Sequence, residues 1–297
     1  MMTFGSLFAG IGGLDLGLER AGMTCSWQVE IDDYATRVLE RHWPNVRRWR
    51  DVKTFPPDTE RNGQHETTVD GGTTPGENQG RLFESEGQDN GWYVDLICGG
   101  FPCQDISYAG RGAGLAGERS GLFFEVVRVV RQLRPRYVLL ENVAALLTRG
   151  LDRVLGELAT IGYDAEWHCI PAAAVGAPHI RDRVFVIATY ATRAASDAKP
   201  RLEWRPIFGS NARAELAALE RANRECGGQW AVEPAVGELV DGLSHRLVRF
   251  AGRVATGIPN RVDKLRCLGN AVVPQVGEYL GRVILQHEQA NSATLGC

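Results

Sequence analysis

Residues 3–30 read TFGSLFAGIGGLDLGLERAGMTCSWQVE, and the order of residue types in this stretch predicts a strand, a glycine turn, a helix and a second strand. Residues 3–8 form a short apolar run suited to a buried strand, which Ala9, Gly10, Ile11, Gly12 and Gly13 interrupt. Leu14, Leu16, Leu18 and Ala21 lead into a helix that Gly22 ends, and residues 24–30 form a strand closed by the acid Glu30. Asp33 is read as the cap of a helix running to Trp43, with Ala35, Val38 and Leu39 on one face. The pattern continues with strands at 94–98, 137–140, 165–170 and 184–189 and helices at about 121–133 and 151–161. Strands alternating with helices predict an α/β fold with a doubly wound, mostly parallel sheet.

The glycines at 10, 12 and 13 remove side chains where a nucleotide-like ligand could approach the backbone at a helix N-terminus. Glu30 closes the next strand about twenty residues later, where a carboxylate can take both hydroxyls of a ribose. Together they favour an adenosine-containing cofactor, either NAD or S-adenosylmethionine. Directly after the strand at 94–98 comes Gly99-Gly100-Phe101-Pro102-Cys103-Gln104, which puts Cys103 on a loop at a strand's carboxyl end. A loop thiol beside a cofactor cleft suggests a nucleophile.

Two stretches break the alternation. Residues 58–92 hold seven glycines and eight acids against Arg61 and Arg81, with few sizeable apolar residues, and read as a polar, mobile insertion on the rim of the domain. Residues 190–265 mix Arg, Gly and scattered aromatics and read as a small irregular second domain, after which 266–297 returns, helical past Pro274, to the first domain at 1–189. Within the irregular stretch, the segment beginning at Asp241 resembles the one beginning at Thr256, and the two present Arg246 and Arg261 similarly. The chain carries a net charge of −3, yet residues 242–266 hold six basic residues against Asp263 alone, so a local basic surface is expected despite the acidic total. Seven cysteines without a CxxC pair suit reduced thiols, not a disulfide framework or a zinc site, and no apolar run approaches membrane-spanning length, so a cytoplasmic protein is expected.

Four motifs occur in order: Phe101-Pro102-Cys103-Gln104, then Glu141-Asn142-Val143, then Arg181-Asp182-Arg183, then Gly269-Asn270-Ala271-Val272-Val273-Pro274-Gln275. This ordered set resembles the cytosine-5 DNA methyltransferase family, of bacterial or phage type, over nearly all of 1–189 and 265–285. The resemblance implies the methyltransferase version of the doubly wound, Rossmann-like sheet, S-adenosylmethionine as cofactor, double-stranded DNA as substrate and a recognition region inserted before the asparagine motif. A cognate restriction endonuclease is a partner that the resemblance allows.

The implied chemistry answers a specific difficulty, since C5 of cytosine is too poor a nucleophile to attack a methyl sulfonium unaided. A Cys103 thiolate adding to C6 makes C5 enamine-like, while a Glu141 carboxyl, with its pKa raised by burial, protonates and holds the ring edge. Arg183 is expected on O2 of the base and Arg181 beside it, supporting the loop and phosphates. The target base must leave the stack to reach them. For the cofactor, the resemblance assigns Phe8 to adenine, the backbone of Gly10 and Gly12 to the turn, Glu30 to the ribose and Asp51 to the adenine amine. It places Pro102, Leu122, Asn270 and Val272 around the methionine. Gln104 and Ser107 on the glycine-rich loop, with Arg246 and Arg261, are the expected DNA contacts.

Two departures stand against the family pattern: His179 occupies a position that is usually glutamine, and no Arg-Glu-x-x-Arg-Leu-Gln motif organises the recognition region. Alternatives of other kinds are a catalytically silent DNA-binding module, a transfer-RNA cytosine-5 methyltransferase and an NAD-linked dehydrogenase. The last gives Cys103, Glu141 and Asn270 no common purpose.

Overall fold

The apolar runs at residues 3–7, 96–100, 137–143 and 182–190 become the buried centre of one sheet because β side chains alternate faces and here both faces are covered. The computed structural model describes residues 1–57, 91–102, 120–177, 181–190 and 260–295. Its strands are β1 (Thr3–Leu7), β2 (Thr24–Val29), β3 (Arg47–Trp49), β4 (Leu96–Gly100), β5 (Tyr137–Val143), β6 (Tyr163–Pro171) and β7 (Asp182–Tyr190). The helices are α1 (Gly13–Arg20), α2 (Asp33–His42), α3 (Phe123–Leu133), α4 (Leu146–Arg149), α5 (Leu151–Thr160), α6 (Arg261–Asn270) and α7 (Pro274–Leu295).

The seven strands lie in the order β3-β2-β1-β4-β5-β7-β6. Those from β3 to β5 are parallel, and β7 runs antiparallel to both β5 and β6. The expected doubly wound, mostly parallel α/β sheet is therefore what forms. Its switch point falls between β1 and β4, since the chain winds outward from β1 through β2 to β3 and then returns to β4 on the other side. Such a reversal opens a crevice at the carboxyl ends of the strands.

Successive strand residues feed opposite cores. Ile97, Val138, Leu140, Val184 and Val186 pack with α3 and α5, whereas Leu96, Cys98, Leu139, Phe185 and Ile187 pack with α1, α2 and α7. Complete burial of side chains such as Phe4, Leu18, Val154 and Leu280 stabilises the fold by roughly 1.5–3 kcal/mol each before entropy is counted. The crossing of α1 with α7 is unusually close: a Cβ on Gly17 would lie 2.3 Å from the Pro274 carbonyl oxygen and 2.7 Å from Gly277 Cα.

Several local expectations are corrected. The cap of α2 is Asp32, one residue before Asp33, because Asp32 has extended backbone and its Oδ1 accepts the Ala35 N–H at 2.9 Å. β4 starts two residues later than expected and runs through Gly99 and Gly100, whose missing side chains permit close pairing with β1 and β5. β3 was not anticipated: three residues with two arginines show no apolar run, and the strand exists because it extends β2 at the sheet edge. α6 begins at Arg261 and so spans the boundary expected at 265/266. The expected insertion at 58–92 falls outside the described residues from 58 to 90, and the expected recognition region does so from 191 to 259. Among the described residues no helix is long and apolar enough to cross a membrane.

Candidate active site

At the carboxyl end of β1 the chain reverses through three residues in the left-handed region, Phe8 (φ 53°), Gly10 (φ 57°) and Gly12 (φ 81°), which lets it turn directly into α1. The turn is tied to the end of β2 from two directions. Ala9 N–H donates to the Val29 carbonyl at 3.1 Å, and Gly10 N–H donates to Glu30 Oε2 at 2.7 Å. The other oxygen of Glu30, Oε1, accepts the Asp32 N–H at 2.8 Å. Burial raises the Glu30 pKa, and these two main-chain donors oppose that shift by stabilising the carboxylate. A Cβ on Gly10 would meet nothing within 4 Å, so space lies open above the turn, while a Cβ on Gly13 would sit 2.2 Å from the Val272 carbonyl oxygen. The Asn270–Val272 segment is thereby set against the turn, 260 residues away in sequence.

Across the switch point, the end of β4 faces Glu141 on β5, which pairs with Gly100. A Cβ on Gly100 would come within 2.7 Å of Glu141 Oε2, so glycine is what leaves room for the carboxyl group. Glu141 is buried, and Arg183 Nε lies 2.9 Å from its Oε1. Burial pushes the Glu141 pKa up, against the opposing pull of the Arg183 and Arg181 guanidinium groups, so desolvation is the larger effect. The register makes this pairing possible: β7 runs antiparallel to β5 with Arg183 opposite Val143, which brings its side chain alongside Glu141.

Arg181, at φ 40°, donates through Nη2 to the carbonyls of Gly269 (2.7 Å) and Ala271 (2.8 Å). It thus clasps the asparagine motif to the start of β7. Asn142 lies within one of the four motifs, and the sequence alone assigns it no role. It is buried, its Nδ2 donates to the Phe101 carbonyl at 3.1 Å, and its Oδ1 accepts the Val143 N–H at 2.9 Å. Phe101 is itself packed on Phe123 at 5.1 Å between ring centroids, so the segment entering residue 103 is fixed on its near side.

The structure thus gathers Phe8, Gly10, Gly12, Glu30, Pro102, Glu141, Arg181, Arg183, Asn270 and Val272 at the carboxyl ends of β1, β2, β4 and β5 and the elements packed on them. Leu122 closes the short turn Ser120–Leu122 before α3 and packs against the same core as Phe8. Asp51 caps the turn Val52–Thr54, with Oδ1 accepting the Lys53 N–H at 2.9 Å, so one carboxylate oxygen of this expected adenine contact serves the backbone. Cys103, Gln104, Ser107, His179 and Arg246 lie outside the described residues, and Arg261 is described only as the first residue of α6. Arg50 and Arg266, which no sequence motif marked, both bind the turn after Glu30: Arg50 reaches the Ile31 carbonyl and Asp33, and Arg266 reaches Asp32.

A family model for C-5 cytosine-specific DNA methylases matches residues 2–71 and 77–214. Among curated relatives, the Type II methyltransferase M.AluI of Cellulosimicrobium cellulans is 30% identical over 213 residues, covering 68% of this chain and 36% of that protein. M.Eco47II of Escherichia coli is 33% identical over 187 residues, covering 61% and 38% respectively. The chain therefore spans well under two thirds of the length of these relatives. A crystal structure of a mutant Spodoptera frugiperda DNMT2 shares the fold, with a TM-score of 0.55 at 14% identity over 96% of this chain and 100% of that one. With the family model matched across more than half its length, the chain belongs to the C-5 cytosine-specific DNA methylase family.

Proposed function

We propose that the chain is a DNA (cytosine-5-)-methyltransferase that uses S-adenosylmethionine to methylate a cytosine swung out of duplex DNA. The observation that carries this reading is Glu141. It is a buried carboxyl whose pKa is raised by desolvation, gripped by Arg183 and facing the strand end that leads into Cys103.

The residues at the β1 turn fit the cofactor. Open space above Gly10, the aromatic Phe8 beside it and a carboxylate at Glu30 suit an adenosine, and the Asn270–Val272 segment lies against the same turn. In this reading Glu30 takes the ribose hydroxyls through lone pairs its two main-chain donors leave over, and Asp51 meets the adenine amine through Oδ2. Pro102, Leu122, Asn270 and Val272 surround the methionine. When bound, S-adenosylmethionine supplies an electrophilic methyl group.

The chain's own residues do the remainder. The Cys103 thiolate forms a bond to C6, and the electrons of the C5–C6 double bond shift toward C5 as Glu141 delivers its proton to N3. Arg183 keeps its Nε on Glu141 and its Nη1 on the Asp182 carbonyl and offers Nη2 to O2, which places positive charge where the ring gains electron density. Once C5 carries the methyl group, N3 returns its proton to Glu141, the C5 proton passes to water, and expulsion of the Cys103 thiolate restores the C5–C6 double bond. Gln104, Ser107, Arg246 and Arg261 are the proposed DNA contacts, with residues 190–265 as the recognition region.

Incubation with tritium-labelled cofactor and either DNA or RNA tests the reading. Label is expected on DNA, and DNA carrying 5-fluorocytosine should trap the chain as a stable adduct at Cys103. Label on RNA alone, or no label on either, overturns it.

A further inference from the structure

The turn that carries Glu30 is held from two sides. On one side Arg50, at the end of β3, binds the Ile31 carbonyl, the Asp33 carboxylate and the Thr36 hydroxyl, all within the sheet domain's own edge. On the other side Arg266 of α6 reaches Asp32 Oδ2 at 2.5 Å, while Asp263, three residues earlier on the same helix, steadies that guanidinium at 3.0 Å. Asp32 is well placed to transmit this contact. Its N–H donates to Glu30 Oε1 at 2.8 Å and its Oδ1 caps α2 at 2.9 Å, so a shift of Asp32 shifts the carboxylate that faces the glycine turn.

The far end of α6 is gripped as well. Arg181 holds the carbonyls of Gly269 and Ala271, and the charge of that same arginine acts on Glu141. A set of polar contacts therefore runs from Glu30 through Asp32 and Arg266 into α6 and from its last turn to Arg181, two residues before the Arg183 whose Nε lies 2.9 Å from Glu141 Oε1. A ten-residue helix is stiff at this length, so moving one end moves the other.

We infer that Arg266 is a positioning residue through which cofactor binding at Glu30 and DNA binding at Glu141 strengthen each other. The inference rests on the methyltransferase reading for the identity of the two ligands. Cofactor settling on Glu30 fixes Asp32, which fixes α6 and hence Arg181; a target base at Glu141 returns the same constraint. Linkage then requires each ligand to raise the affinity for the other by one common factor.

The test measures the dissociation constant of S-adenosylhomocysteine with and without a saturating duplex that the wild-type chain methylates. Wild type should bind about 5-fold or more tightly with the duplex present. Arg266→Ala should bring that ratio below about 2-fold, Arg266→Lys should keep most of it, and Arg282→Ala, an exposed arginine paired with Glu278 on α7, should leave it unchanged. A merely weakened fold lowers both affinities and preserves their ratio. An unaltered ratio in Arg266→Ala, or a wild-type ratio near one, overturns the inference and leaves the methyltransferase reading standing. A wild-type chain that methylates no duplex overturns both.

Discussion

Asn142 shows how one buried amide can set the backbone that leads into the proposed nucleophile. Its two polar atoms are spent on the Phe101 carbonyl and the Val143 N–H, so the backbone entering Pro102 and Cys103 is referenced to β5, the strand that carries Glu141. Asn142→Ala leaves the Phe101 carbonyl buried without this partner and should cost roughly 1–3 kcal/mol of stability. Misplacement of a nucleophile by an ångström can cost about 100-fold in rate, so kcat for DNA methylation should fall by that order while S-adenosylhomocysteine affinity, measured by calorimetry, stays within a few-fold. Asp15 makes a second case, with a different readout. It is fully buried beneath the glycine turn, accepts from Ser6 Oγ (3.1 Å) and Gln28 Nε2 (3.0 Å), and burial raises its pKa from 3.8 to about 6. The folded state therefore binds this proton more tightly than the unfolded chain does. Stability from Asp15 is fully present below about pH 3.8 and is lost as pH rises through about 6. Asn at this position keeps an acceptor for Gln28 and a donor for Ser6 but cannot ionise. Denaturant titrations of Asp15→Asn and wild type should show the variant gaining on wild type by roughly 2 kcal/mol between pH 4 and pH 7; parallel curves would show that the carboxyl is already ionised in the acid range.

Among the elements, the contact of α1 with α7 decides how the glycine turn after β1 is supported from behind. Gly17 and Gly277 face each other so closely that backbone meets backbone, and α7 begins at Pro274, two residues after the Val272 carbonyl that abuts Gly13. The apolar rows on both sides, Leu14 and Leu18 against Val276, Leu280 and Ile284, hold the helices at that separation. Gly17→Val must push α7 outward, since its Cβ would meet the Pro274 carbonyl and Gly277 Cα and not a flexible side chain. Overpacking of this sort costs typically 1–3 kcal/mol. The thermal midpoint should drop by several degrees, and the KM for S-adenosylmethionine should rise more than kcat falls, because the displaced segment is Asn270–Val272 and Glu141 stays fixed on β5. Equal losses in both parameters would place the strain elsewhere.

For the molecule as a whole, the sheet and its winding were legible because each central strand is an apolar run bounded by glycine or an acid, and that signal is local. Glu30, at the end of β2, could be placed for the same reason, whereas Glu141, which lies inside β5, was marked only by the ordered motifs around it. What was not legible depends on chain segments meeting far apart in sequence. The Arg181 grip on residues 269 and 271 and the Arg266 contact with Asp32 arise only when α6 docks beside α2, and nothing near either arginine signals them. β3 escaped because Arg47 and Arg48 look like surface charges until one sees Arg47 over the Trp92 ring and Arg48 bonding the Leu39 carbonyl. Successive acids at 32 and 33 left the cap of α2 ambiguous by one position, and geometry chose Asp32. The same long-range view bears on the polar stretch after Pro57. The chain on either side of it is anchored together: Phe55 meets Trp92 edge-on at 5.1 Å, Trp27 Nε1 donates to the Trp92 carbonyl at 2.9 Å, and Arg47 donates to the Gly91 carbonyl at 2.8 Å. The two ends of residues 58–90 are thus held by contacts that those residues do not supply, and closing a shorter loop costs less entropy than closing a long one. Replacing 58–90 with a linker of about six Gly and Ser residues should keep the thermal midpoint within a few degrees of wild type and retain most DNA methylation. A midpoint that holds while methylation is lost would assign the stretch to DNA, and a midpoint that collapses would show that the Phe55–Trp92 anchor does not stand without it.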